Sequence, residues 1–229
     1  MNRIVEFKKG AVAAVPVSPG YIPVGIAYGL MAGDAGLNLG QILGFSLFVY
    51  TGAGQMAAAR MIAMQISMPV IVLTVSIMNL RHIIMSTVIM EKLRSLPLLK
   101  RCLLSFFITD ETFAVFTMEE RKKPTGWFFL GLGLCSWLSW NIGSALGAIS
   151  GSLLPETLSA SLGISMSAMF IALVVPGMKR SIRICLLVAL SAFLSWLFSL
   201  FVSSSLAIVG SILLSSFAGT FFVKDEDLS

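Results

Sequence analysis

Residues 67–90 read SMPVIVLTVSIMNLRHIIMSTVIM and residues 103–116 read LLSFFITDETFAVF, two strongly apolar runs that each carry charge in the interior. Asn79, Arg81 and His82 lie in the first run, Asp110 and Glu111 in the second. An ionised side chain at the centre of a bilayer costs roughly 2.5–3.5 kcal/mol, so such groups normally face a protein interior or a wet cavity and pair with one another. The two runs therefore predict membrane helices that enclose a polar pathway.

The whole chain fits that class. Of its 229 residues, 57% are hydrophobic and 12% charged, and the mean hydropathy is +0.93. Too few polar groups remain to cover a soluble globule. The formal charge of +5 comes from basic residues scattered over separate loops, which form no continuous face for nucleic acid. Cys102, Cys135 and Cys185 fall in apolar runs without ligand or disulfide spacing, so neither a metal site nor a cofactor is expected. Arg3, Lys8 and Lys9 precede the first apolar stretch, which reads as a retained membrane segment.

A spanning helix takes about 20 mostly apolar residues. On that rule the candidates are 11–33, 39–64, 67–90, 102–118, 126–150, 162–177, 184–202 and 204–223, all in one transmembrane domain over residues 1–229. The expectation is an all-α polytopic bundle of seven or eight segments, with 102–118, short and acidic, free to be a re-entrant hairpin. A cytoplasmic N-terminus puts Arg3, Lys8, Lys9, Arg60, Arg121, Lys122, Lys123, Lys179, Arg180, Arg183 and Lys224 inside. Lys92, Arg94, Lys100 and Arg101 then fall outside as one discordant basic loop, which a nearby re-entrant segment would relieve. An offset of 91 positions superposes Gly40 on Gly131, Leu43 on Leu134, Leu47 on Leu138, Gly52 on Gly143, Ala57 on Ala148, Ser76 on Ser167 and Met78 on Met169. Such a three-segment repeat, with units of about 10–100 and 101–190 followed by two C-terminal helices, would be inverted.

Two further stretches bear on the pathway. Residues 16–25, PVSPGYIPVG, hold three prolines and two glycines, which either kink a helix or leave it unwound beside a cavity. Thr51 to Gln55, TGAGQ, either forms a close packing seam or breaks the next segment, and a carboxamide at that depth needs partners. Both stretches are expected to be non-helical breaks that meet near mid-membrane. Arg81 suits either an ion pair with Asp110 or Glu111 or a substrate carboxylate. His82, the chain's one histidine, is either a packing residue or a proton carrier. Adjacent acids on a helix point about 100° apart, so one can pair with Arg81 while the other faces the pathway.

These boxes, 16–25, TGAGQ at 51–55, NLRH at 79–82 and TDETFA at 109–114, occur in the order and at about the spacing of the AzlC-type permeases, which the chain resembles over residues 8–190. Gly54 and Met56 stand where that family more often has a small polar residue and an aromatic. The resemblance implies export of branched-chain or similar amino acids together with a small multispanning AzlD-type subunit. The substrate-binding candidates are then Ser18, Gly20, Thr51, Gly52, Gln55, Asn79 and Arg81, and Arg81, His82, Asp110 and Glu111 form a candidate charge network that takes up protons.

A zwitterion with an aliphatic side chain needs a cation or N–H groups, an acid or carbonyls, and an apolar pocket, all of which these segments carry. No glycine-rich Lys motif for ATP is present, so an ion gradient or the substrate's own gradient must drive transport. A gated channel is the alternative, and an intramembrane enzyme using Asp110, Glu111 and His82 lacks a second histidine or a nucleophile elbow.

Overall fold

The structure, a computed structural model, describes residues 2–119, 125–150 and 181–202, with scattered positions between 171 and 219. These residues form helices and no strand. In chain order they are α1 (Arg3–Ala13), α2 (Ser18–Asp34), α3 (Leu39–Phe48), α4 (Ala53–Ala63), α5 (Met68–Met78), α6 (Arg81–Lys92), α7 (Leu98–Ser105), α8 (Asp110–Thr117), α9 (Gly126–Ser150) and α10 (Ile182–Ser199). The expected segments at 162–177 and 204–223 lie wholly or mostly outside the described residues, as do Arg121, Lys122, Lys123, Arg180 and Lys224.

Among the described residues, only α9, with 25 residues, and α10, with 18, are each long and apolar enough to cross a membrane unbroken. The pairs α1–α2 and α5–α6 reach that length only together, bent by 63° and 42° at their junctions, so up to four spans are present by length and composition among the described residues. The count of seven or eight is not confirmed: 162–177 and 204–223 lie largely outside the described residues, and 39–64 and 102–118 supply no single helix long enough to span.

The second, third and fourth apolar segments are interrupted near their middle, and the first near its N-terminal edge. Turns at Ala14–Val17 separate α1 from α2, and α2 is helical from Ser18 onward, with Pro19 in its first turn and Pro23 inside. The break expected at 16–25 is therefore shifted toward the N-terminus. Proline is tolerated in a first turn, where its missing N–H would be unpaired in any case. Between α3 and α4 the chain reverses through Tyr50 and Gly52, with φ of 43° and 46°. Gly52 adopts this backbone without penalty, and Tyr50 does so at a cost. Gly54 and Gln55 are already helical, so that break is confined to 49–52.

Helix α9 orders the rest. Gly10 of α1 faces Phe128 and Leu132, Gly25 of α2 faces Trp140 to Ser144, and Gly29 faces Ser144 to Ala148, so α1 and α2 run alongside α9 in the same direction. Arg3 and Gly126 consequently share one end of the bundle, and Asp34 marks the other. Helix α3 leaves from the Asp34 end, yet Ile62 at the close of α4 and Met68 at the start of α5 line one hollow with Gly36, Leu37 and Gln41. Residues 39–64 thus form a hairpin that returns to the end it left, where a crossing was expected. Helices α5 and α6 then carry the chain to the Arg3 end, where Lys92 Nζ donates to the Thr117 carbonyl at 3.2 Å.

Residues 98–117 form a second hairpin, from the opposite end. Leu96 and Leu104 pack on Gly126, Phe107 reaches deeper to Gly133, and Phe116 comes back to ring contacts with Phe128 and Phe129. The two hairpin tips meet, with Tyr50 and Phe106 ring centroids 6.0 Å apart. This arrangement moves Lys92, Arg94, Lys100 and Arg101 to the end that carries Arg3, Lys8 and Lys9, and removes the discordance in loop charge. Arg60, late in α4, moves to the Asp34 end. At an offset of 91, the two-part hairpin α3–α4 is superposed on unbroken α9, so that register pairs unlike elements; Ser167 and Met169 lie outside the described residues.

Two apolar clusters fill the bundle. One joins Met85, Ile89, Leu104, Phe116, Phe128, Phe129 and Leu132 near the Arg3 end. The other joins Val17, Tyr21, Val24, Tyr28, Ile42, Tyr50, Met56 and Trp140. Between α2 and α9 the backbones touch, because a Cβ on Gly29, Gly143 or Gly147 would collide with main-chain atoms of the partner helix. Small residues permit such close approach in membrane helices. Overpacking costs about 1–3 kcal/mol and more where backbones must separate. Gly147→Leu should therefore lower the melting temperature in detergent by many degrees and reduce the monodisperse fraction. Gly44→Ala, at a position facing open space, should melt with the parent; equal melting of both variants would contradict this packing.

Candidate functional site

Three of the breaks, those before α4, α6 and α8, converge. A cavity lies where they meet, lined by Tyr21 and Val24 of α2, Tyr50 to Ala53 at the first hairpin tip, Arg81 and His82 opening α6, Thr109 to Glu111 opening α8, and Trp140 of α9. Its free volume is about 20 Å³, room for about one water molecule. The site is closed in this conformation.

Three helices, α4, α6 and α8, begin at this cavity. A helix N-terminus carries a partial positive charge and unpaired N–H groups, and so favours anions. Asp110 and Glu111 occupy the first turn of α8, where that charge suits them, and Thr109 closes a capping box with Thr112. Helices α4 and α6 start at Gly52 and Leu80 with no side-chain cap.

The charged residues separate as their spacing requires. Arg81 Nη2 lies 2.9 Å from Asp110 Oδ2, with both side chains about a quarter exposed. Glu111 turns away and is buried, accepting from the Tyr21 hydroxyl at 2.5 Å, while that hydroxyl also lies 2.7 Å from Thr109 Oγ1. No lysine or arginine among the described residues pairs with Glu111.

Several buried polar atoms around the cavity have no hydrogen-bond partner: the Tyr50 hydroxyl, Thr51 Oγ1, Arg81 Nε, His82 Nδ1 and Trp140 Nε1. Buried polar groups are seldom left unpaired without a reason. Most are donors, and they gather where the helix N-termini gather. Aromatic rings enclose them, with Tyr21 edge-on to Tyr50 at 6.3 Å and to Trp140 at 5.7 Å between centroids.

Of the residues singled out from sequence, Thr51, Gly52, Arg81, His82, Asp110 and Glu111 line the cavity. Ser18, Gly20, Gln55 and Asn79 do not. Ser18 donates to the Ala14 carbonyl and accepts from Ser139 at 2.9 Å, tying the α1–α2 turn to α9. Gln55 is fully buried and donates to Ser46 at 3.2 Å, and Ser46 donates to Ser144 at 2.7 Å, leaving Gln55 Oε1 unpaired. Asn79 caps the C-terminus of α5. Tyr21, Tyr50 and Trp140 were not among the sequence candidates. Trp140 carried a signal: it lies midway between Ser136 and Ser144 at four-residue spacing, on the small, polar face of α9.

Comparison with known proteins agrees with the family resemblance. The sequence model of the AzlC protein family matches residues 16–154, which contain every residue lining the cavity. The chain is 31% identical over 191 residues to the inner membrane protein YgaZ of Escherichia coli, covering 80% of this chain and 78% of that protein. It is 32% identical over 187 residues to an uncharacterised membrane protein of Archaeoglobus fulgidus, covering 80% and 81% respectively. Identity to the branched-chain amino acid transport protein AzlC of Bacillus subtilis is 27% over 149 residues, covering 64% of this chain and 58% of that protein. No solved structure matches. The chain is thus a multi-pass membrane protein that belongs to the AzlC family.

Proposed function

We propose that this protein is a secondary transporter that exports branched-chain or similar aliphatic amino acids from the cytoplasm, with its basic, Arg3-bearing end cytoplasmic and an ion gradient as the driving force. The observation that carries the reading is the Arg81–Asp110 pair, set in a closed cavity onto which three helix N-termini and several unpaired polar atoms converge. Broken helices that present their N-termini to an anionic group at mid-membrane are a recurrent carrier plan. A substrate carboxylate would take Arg81 and the uncapped starts of α4 and α6. Its ammonium would take Glu111 or Asp110, and its aliphatic side chain would meet Val24, Tyr50 and Trp140.

The closed cavity favours a carrier over the alternative of a gated channel, because a substrate enters only if the hairpin tips part. The resemblance further implies an AzlD-type small membrane subunit as partner, without which export would be weak or absent. In the coupling scheme, Glu111 and His82 take up a proton in one orientation of the site and release it in the other. Ser18, Gly20, Gln55 and Asn79 act at one remove, holding the breaks in place.

Two measurements test this. In vesicles containing this chain and the small subunit, labelled leucine or valine should show saturable counterflow that Arg81→Ala reduces at least about tenfold, the loss expected for 1.4 kcal/mol or more. Product formation or gradient-independent conductance would instead indicate an enzyme or a channel. His82→Gln should retain counterflow while weakening the dependence of net efflux on external pH, and wild-type pH dependence in that variant would remove His82 from the coupling.

A further inference from the structure

A second hollow lies far from the site, on the outer surface at the Arg3 end. It measures about 260 Å³ and is bounded by Leu96, Leu103 and Leu104 of the second hairpin, by Gly126, Trp127 and Leu130 of α9, and by Lys100. Gly126 forms its floor, since a side chain there would strike Leu96 and Leu104. From Gly126 to Leu130 the hollow follows α9 inward by about 6 Å, at 1.5 Å per residue. Its deep part is leucine and its mouth is cationic.

Among the described residues, no carboxylate neutralises Lys100 at the mouth or Arg3 beside it. Lys100 lines the hollow, and the Arg3 guanidinium stands 5.9 Å from the centre of the Trp127 ring. Neither has an ion pair with a described carboxylate; Glu6 pairs with Lys9 and Glu91 with Arg94. Trp127 is 43% exposed, and Leu98, Leu99 and Leu103 of α7 are 65–72% exposed. An amphipathic helix with leucines outward and basic residues beside them suits the boundary between headgroups and acyl chains, and a half-exposed tryptophan next to it marks that level.

We infer that this hollow is a binding site for an anionic glycerophospholipid, one acyl chain lying along Leu103, Leu104 and Leu130 and the phosphate meeting Lys100 and Arg3. The charge complementarity selects this occupant. An uncharged apolar partner would leave Lys100 facing it and Arg3 on the adjoining Trp127 without a counter-charge, whereas an anionic headgroup compensates them, with each basic residue near such a surface contributing about 1 kcal/mol. The consequence reaches the transport site, because α7 leads directly into the hairpin tip at Phe106 to Thr109. A bound lipid would hold the base of the hairpin that must move for substrate to enter.

The test uses the full chain in detergent, with phosphatidylglycerol or phosphatidylcholine added back. Phosphatidylglycerol should raise the melting temperature by several degrees more than phosphatidylcholine, and Lys100→Gln with Arg3→Gln should abolish the difference while melting with the parent in detergent alone. Equal stabilisation by both lipids, or an undiminished difference in the double variant, would overturn the assignment. A photo-reactive side chain at Leu103 in membranes supplies a second arm. A lipid adduct supports the site, and an adduct to a polypeptide, whether a second copy or another subunit, overturns it. Because this readout does not involve leucine transport, it stands or fails independently of the transport proposal.

Discussion

The Arg81–Asp110 ion pair is the interaction around which the bundle is arranged. An arginine and a carboxylate at membrane depth must be brought together and partly hydrated, since either one alone would cost several kcal/mol. Here they come from different segments, each broken one or two residues before the charged group: α5 stops at Met78 and α6 begins at Arg81, while α8 begins at Asp110. The breaks set the charges at helix starts. There the partial positive charge of α8 stabilises Asp110 and Glu111, and the pair in turn holds the starts of α6 and α8 together.

A break in the backbone within a membrane is itself costly, because freed N–H and C=O groups need partners. Concentrating three of the breaks in one place solves this for them, since their groups share one small polar cavity walled by Tyr21, Tyr50 and Trp140. Helix α9 is the unbroken element against which this is built. Its glycines bring α1 and α2 to backbone contact, and its serines hold the first hairpin through Ser144, Ser46 and Gln55. The outcome is a closely packed frame of α1, α2 and α9 with two shorter hairpins that touch at their tips.

Much of the site was legible in the sequence, because polar residues in apolar runs are costly and so informative. Arg81, His82, Asp110 and Glu111 stood out for that reason, as did the glycines at 51–55. The path of the chain was less legible. Hydropathy counts apolar residues and says nothing of reversals, so a hairpin such as 39–64 reads as one long span. The clue lay in the charges, since Lys92 to Arg101 fit the positive end only if one earlier segment fails to cross. Tyr21, Tyr50 and Trp140 were missed because aromatic residues are ordinary in membrane helices, and only the folded chain brings their polar atoms to one place.

The central claim is that the meeting point of the two hairpins is where substrate binds. Thr51 lines that point with an unpaired hydroxyl, so the direct measurement is thiol labelling of Thr51→Cys in a chain whose Cys102, Cys135 and Cys185 are replaced by alanine and which still carries out counterflow. The account predicts labelling from either face of the membrane, slowed by saturating leucine and not by an unrelated charged amino acid. Labelling that leucine leaves unchanged while leucine transport continues would place the substrate elsewhere and contradict the account.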